Sequence, residues 1–199
     1  MSAVLRESTY PIDPVFTHRW SPRAFTGEAI SHEQLLSLLE AARWAPSAFN
    51  AQPWRFVYAH RDSAAWAPLF EGLSPSNQEW AQRASALVAV LSRTRWVPPG
   101  QQEVQPIGSH AFDAGAAWAS LALQASRSGW HAHAMGGFDP VRLRAGLGIP
   151  DDHAAHAVVA IGKLGNPAVL PERLQAREQP SARLPLEAIA AEGRFAFAS

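Results

Sequence analysis

Two apolar runs without alternation constrain this chain most: Leu87–Ser92 (LVAVLS) and Ala157–Gly162 (AVVAIG). A strand with one wet face alternates apolar and polar residues, so an uninterrupted run reads as a strand buried in a sheet. Trp54–His60 (WRFVYAH) adds an aromatic and branched strand, and Trp130–Met135 a fourth. Helical patterns lie between them. Ser31–Trp44 opens on a capping box, Ser31 with Gln34, and puts Leu35, Leu38, Leu39 and Ala42 on one face. His110–Ser128 is long and carries small residues (Gly115, Ala116, Ala119, Ala122, Ala125) that admit a second helix closely, with Gly129 as its terminator. Shorter helices are expected at Pro14–His18, at Ala64–Leu73 despite Pro68, from the Ser74–Gln78 break to about Ala84, and after Asp139–Pro140. Strands alternating irregularly with helices make an α+β chain, with helices over a central mixed or antiparallel sheet. Residues 1–199 read as a single domain, long enough for a full core.

Composition excludes several functions. Lys and Arg number 17, as do Asp and Glu, so there is no cationic surplus for nucleic acid. There is no cysteine, which removes disulfides, thiolate metal sites and thiol nucleophiles. Redox chemistry would then need a bound cofactor. No GxGxxG follows a strand and no phosphate-loop motif is present. His131 and His133 alternate on a strand, and His153 and His156 sit in an expected loop. Without HExxH or cysteine partners, no metal site is expected. The opening MSAVLREST lacks an apolar signal core and no run approaches a membrane span, so no membrane partner is expected and the cytoplasm is the expected location.

The residues best suited to a ligand fall in two segments. Ala45–Trp54 (APSAFNAQPW) joins a helix to a strand and holds Pro46, Ser47, Ala48, Asn50 and Gln52. Pro46 is expected to end the helix, and Pro53 to push Gln52 into an extended conformation. Arg19–Phe25 (RWSPRAF) offers two guanidiniums and a hydroxyl, a combination suited to phosphate. The long Arg93–Gly108 loop is expected to be a lid. From Asn166 the chain becomes a Pro- and Arg-rich arm, with a short helix expected at Leu186–Ala191.

RxSxRxF, a capped helix and then APSxxNxQPW resemble the nitroreductase family of FMN-dependent oxidoreductases. The likeness continues at Asn77, at Met135–Phe138 (MGGF) and at Arg183. It implies that Arg19, Trp20, Ser21 and Arg23 contact the FMN phosphate and ring edge, and that Arg183 reaches the phosphate. It also implies that Asn77 bonds the pyrimidine edge and that the Gly136 and Gly137 amides lie near N5. The family's fold and its homodimer follow, with arms wrapped around the partner and Pro46, Ser47 and Ala48 reaching the opposite subunit's flavin. Asn50 belongs to the same cofactor-binding loop. The implied reaction is ping-pong hydride transfer from NADH or NADPH through flavin N5 to a nitroaromatic or quinone. No side chain is itself assigned a catalytic role. A flavin reductase, a metabolite-specific dehydrogenase and a non-catalytic FMN-binding protein stand as alternatives. Trp80 occupies a position where some relatives carry a lysine, and Ser181 one where many carry a cation. His133, three residues before Gly136, is a candidate lining residue that could equally be a packed strand histidine.

Overall fold

The computed structural model describes residues 6–197. The expectation about a signal segment rests partly on residues 1–5, which lie outside the described residues.

The core is a four-stranded, wholly antiparallel sheet in the order β1-β2-β6-β5. Its strands are β1 (Trp54–His60), β2 (Ala86–Arg93), β5 (His131–Met135) and β6 (His153–Gly162). The two continuous apolar runs become the central pair β2 and β6, as their lack of alternation requires. Helices cover both faces. On one face, α2 (His32–Arg43) and α5 (His110–Arg127) bury Leu35, Leu38, Ala117 and Leu121 against Val88, Val90 and Val159. On the other, α3 (Trp66–Glu71), α4 (Pro75–Ala81) and α6 (Pro140–Leu147) bury Leu69, Trp80 and Leu143 against Leu87, Ala89 and Val158. The Ser31–Gln34 capping box forms in both directions, at 3.1 and 2.9 Å. Asp139 caps α6, accepting from the Val141 and Arg142 amides, with Pro140 in the first turn.

Several expectations are corrected. Gln52 is not extended: its φ is +46°, and Phe49 and Asn50 are also left-handed at +52°. Ser47 Oγ accepts from the Gln52 amide at 3.0 Å and holds the loop in this coil. The preceding helix stops at Arg43 with Trp44 as its cap, two residues short of Pro46, as expected. Asn77 lies within α4 rather than in a break, because Ser74–Pro75 starts the helix with proline in its first turn; the helix ends at Ala81. His153 and His156 belong to β6, not to a loop. β2 runs on to Arg93 and needs partners there, and His156 is the residue skipped where the register shifts between Val90 and Leu91. The expected lid contains a small hairpin, β3 (Arg95–Trp96) with β4 (Gln105–Pro106). The arm's short helix shrinks to a 3-10 turn at Leu186–Ala188. The arm lies exposed from Ser181 to Ala196.

Candidate functional site

Arg19–Phe25 leaves α1 (Val15–His18) and runs beside the outer strand β5. His133 Nδ1 donates to the Pro22 carbonyl at 2.9 Å and fixes the segment to β5, and Phe25 then bridges to Leu164, just past β6. Arg19 donates to Ser21 Oγ at 3.3 Å. Burial, and then the charge of Arg183, hold the Arg19 guanidinium below its ordinary value. The arm passes close by, because Arg6 donates to both the Arg19 and the Ser181 carbonyls, at 2.7 and 2.8 Å. Arg6 joins them, also lowered by burial and then by Arg183 and Arg19. Among the described residues, no carboxylate lies within 4.0 Å of any of the three. Clustered guanidiniums without a counter-ion suit a phosphate dianion.

Arg23 stands differently. Its partner is buried Glu178, at 3.9 Å, whose Oε1 accepts from the Arg23 and Ala24 amides at 2.7 and 2.8 Å. Glu178 thus pins the turn from the C-terminal side. The charges pressing on Arg23 are Arg177 and Glu178, after burial. Trp20 sets its ring edge-on to His131, with centroids 6.2 Å apart.

A cleft of about 460 Å³ opens beside Arg19 and Ser21, walled by Phe16, Trp118, Ala119 and His133. Its size falls in the range of small-molecule sites. Burial pushes the His133 imidazole down to about 4, outweighing the Pro22 carbonyl bond that favours the charged form. With Nδ1–H engaged by that carbonyl, neutral His133 presents Nε2 as an acceptor. Trp80 packs on its ring at 4.7 Å and is itself buried, so the expected cation position holds a core indole.

After β5 the chain turns through Gly136 and Gly137. Asn77 Nδ2 and the Ser74 amide both donate to the Gly137 carbonyl, at 2.9 and 3.0 Å. A side chain on Gly137 would meet Asn77 Nδ2 at 2.8 Å, whereas one on Gly136 would meet nothing within 4 Å. Gly136 is exposed, so a flat ring has room to approach its backbone.

Pro46, Ser47, Ala48 and Asn50 are not brought to this site. They precede β1, at the sheet edge opposite β5. There Ala48 and Phe49 line a separate apolar cavity of about 670 Å³ beneath the β3–β4 hairpin, with Trp96, Pro98 and Ile107. Phe49 is 91% exposed.

The nitroreductase family model matches residues 16–163. The chain belongs to the nitroreductase family. A solved structure described as an oxidoreductase containing FMN is 50% identical, with a TM-score of 0.94 over the full length of both chains. A NADH dehydrogenase from Thermus thermophilus is 34% identical across 92% of this chain and 98% of its own. A nitroreductase family protein from Streptococcus pneumoniae shares the fold, at 21% identity and a TM-score of 0.71, across 89% of this chain and 98% of its own. Family membership makes this nitroreductase-family chain an oxidoreductase. No helix among the described residues is long and apolar enough to cross a membrane.

Sequence reasoning missed Arg6 and Glu178. Neither stands in a motif: Glu178 bonds amides more than 150 positions away, and Arg6 bonds carbonyls 11, 13 and 175 positions away.

Proposed function

We propose that the chain binds FMN and transfers reducing equivalents from NADH or NADPH to an electron-poor aromatic acceptor, a nitroaromatic or a quinone. The observation that carries this reading is the Arg6 guanidinium bonding both the Arg19 and the Ser181 carbonyls, which brings the arm of Arg183 to the Arg19 turn with no carboxylate within 4.0 Å of the three arginines among the described residues. Like charges gathered in this way are stabilised further by a bound anion. When bound, FMN supplies a ring that accepts a hydride from one substrate and yields it to the next.

In this reading Arg19, Ser21 and Arg183 hold the phosphate. Arg23 and Glu178 fix the turn that presents Arg19 and Trp20. Asn77, with Nδ2 engaged by Gly137, keeps Oδ1 free to accept from a pyrimidine N–H. Gly136 and Gly137 offer their backbone to the reactive edge, and neutral His133 lines the cleft as an acceptor. One open face would serve donor and acceptor in turn, which makes the kinetics ping-pong.

The second half of the proposal is a homodimer. Pro46, Ser47, Ala48 and Asn50 lie across the sheet from Arg19, so they can join the same flavin only from a second copy. Phe112, Gly115 and Ala119 form an exposed stripe on α5, and Phe49 and Phe112 stand 91% and 83% exposed. In this reading the partner copy covers these two bare aromatics. Initial-rate kinetics with NADPH and a quinone test the reaction: parallel double-reciprocal lines are expected, and intersecting lines would reject a shared face.

A further inference from the structure

We infer that Arg6 is a positioning residue for the phosphate site, a clamp that ties the C-terminal arm at Ser181 to the turn carrying Arg19. The inference rests on the FMN reading above and adds to it a device that decides where Arg183 stands.

Hydrogen bonds link the three segments in series. Arg6 Nη1 donates to the Arg19 carbonyl at 2.7 Å and to the Thr17 carbonyl at 3.3 Å. Its Nε donates to the Ser181 carbonyl at 2.8 Å. Two residues on, Arg183 Nη1 folds back onto the Ser181 and Ala182 carbonyls at 3.3 and 3.1 Å. Arg183 is therefore located by Ser181, Ser181 by Arg6, and Arg6 by the main chain of Arg19.

The arm has little else to hold it there. Ser181 to Ala196 is exposed throughout, and Arg183 and Arg19 repel one another. Three bonds from a guanidinium to carbonyls are each stronger than a neutral bond, because the donor is charged. They offset the repulsion and stop Arg183 swinging away. Only an arginine can act as this clamp, because two of its nitrogens, in one rigid plane, reach carbonyls on two separate segments, which a lysine ammonium does not do. Arg6 Nη2 carries no hydrogen bond among the described residues, and its positive charge adds to the field that favours a phosphate dianion.

FMN and riboflavin share the ring and ribityl chain and differ by the phosphate, so the pair isolates this site. Dissociation constants for both, by flavin fluorescence quenching on apo-protein, are measured for wild type, Arg6→Ala, Arg6→Lys and Arg19→Ala. Trypsin cleavage after Arg183 is followed in the same samples. Arg6→Ala is expected to weaken FMN at least about 10-fold, a loss of roughly 1.4 kcal/mol, with riboflavin unchanged and cleavage after Arg183 faster. Arg6→Lys is expected to do the same, because it keeps the charge but not the span. Wild-type FMN affinity in Arg6→Ala overturns the inference. Wild-type affinity in Arg6→Lys also overturns it, leaving Arg6 as a point charge. If Arg19→Ala abolishes the preference for FMN over riboflavin while Arg6→Ala keeps it, the clamp alone fails. If Arg19→Ala keeps the preference too, the phosphate site itself is misplaced.

Discussion

Asn77 Nδ2 donates to the Gly137 carbonyl at 2.9 Å, locking α4 to the turn that follows β5. The packing is so close that a methyl on Gly137 would stand 2.8 Å from that nitrogen and 3.0 Å from Ser74 Oγ. Gly137→Ala should therefore displace the Asn77 side chain and cost about 0.5–1.5 kcal/mol, the worth of its hydrogen bond. Gly136→Ala meets no neighbour within the chain and should change stability by less than about 0.5 kcal/mol. If Gly136 faces the ring, its alanine variant should nevertheless weaken flavin binding. Thermal melts and flavin titration of the two variants check the contrast; equal stability losses would show that the turn is not packed as described.

Arg19 and Arg23 should fail in different ways. Arg19→Ala removes a charged contact to phosphate, worth roughly 1.5–3 kcal/mol of FMN affinity, and leaves the apo-protein's stability close to wild type. Arg23→Ala leaves buried Glu178 without its nearest cation and should lower the stability of the apo-protein as well. Denaturant titration of both apo-proteins separates the cases. Equal stability in the two variants would show that the Arg23 charge does nothing for Glu178, whose bonds to the Arg23 and Ala24 amides survive the substitution.

Acid should destabilise the fold through His133. Its folded value, about 4, lies below the ordinary 6.5, so the unfolded state takes up the proton first. The stability due to keeping it neutral is complete above about pH 6.5 and is lost as pH falls towards 4, by no more than about 3 kcal/mol. His133→Gln should flatten that part of the stability profile. A variant with the wild-type slope between pH 6.5 and 4 would clear His133 of the effect.

Dimerisation admits a complementation test. If each site takes Arg19 from one copy and the Ser47–Asn50 loop from the other, then mixing Arg19→Ala with a Ser47→Ala/Asn50→Ala variant restores intact sites. Random exchange under two-fold symmetry returns about a quarter of them. Recovery is measured as turnover after the two variants are unfolded and refolded together. No recovery, with native mass spectrometry confirming mixed dimers, would mean that each site is built from one chain.

Much of the fold was legible because its signals are local. The continuous apolar runs, the Ser31–Gln34 box and the Asp139–Pro140 cap each determine their element through near neighbours. Where long-range demands prevail, local reading fails. His153–His156 (HAAH) shows no strand alternation and looks like a loop, yet the far end of β2 recruits it as strand. Gln52 should be extended before Pro53, but the Ser47 hydroxyl holds it left-handed. The arginine segment was readable as an anion site; which arginines meet was not. Arg183 reaches Arg19 only through the path of the arm, and Arg23 turns to Glu178 instead.

The central claim is that this site holds FMN for redox work. The direct measurement is the absorbance spectrum of the purified protein before and after anaerobic NADPH or NADH, with the released chromophore identified by mass. The account predicts a yellow protein, FMN as the chromophore, and bleaching of the flavin band on reduction. FAD in place of FMN, no flavin bound even in excess FMN, or a band that neither nicotinamide bleaches would contradict it.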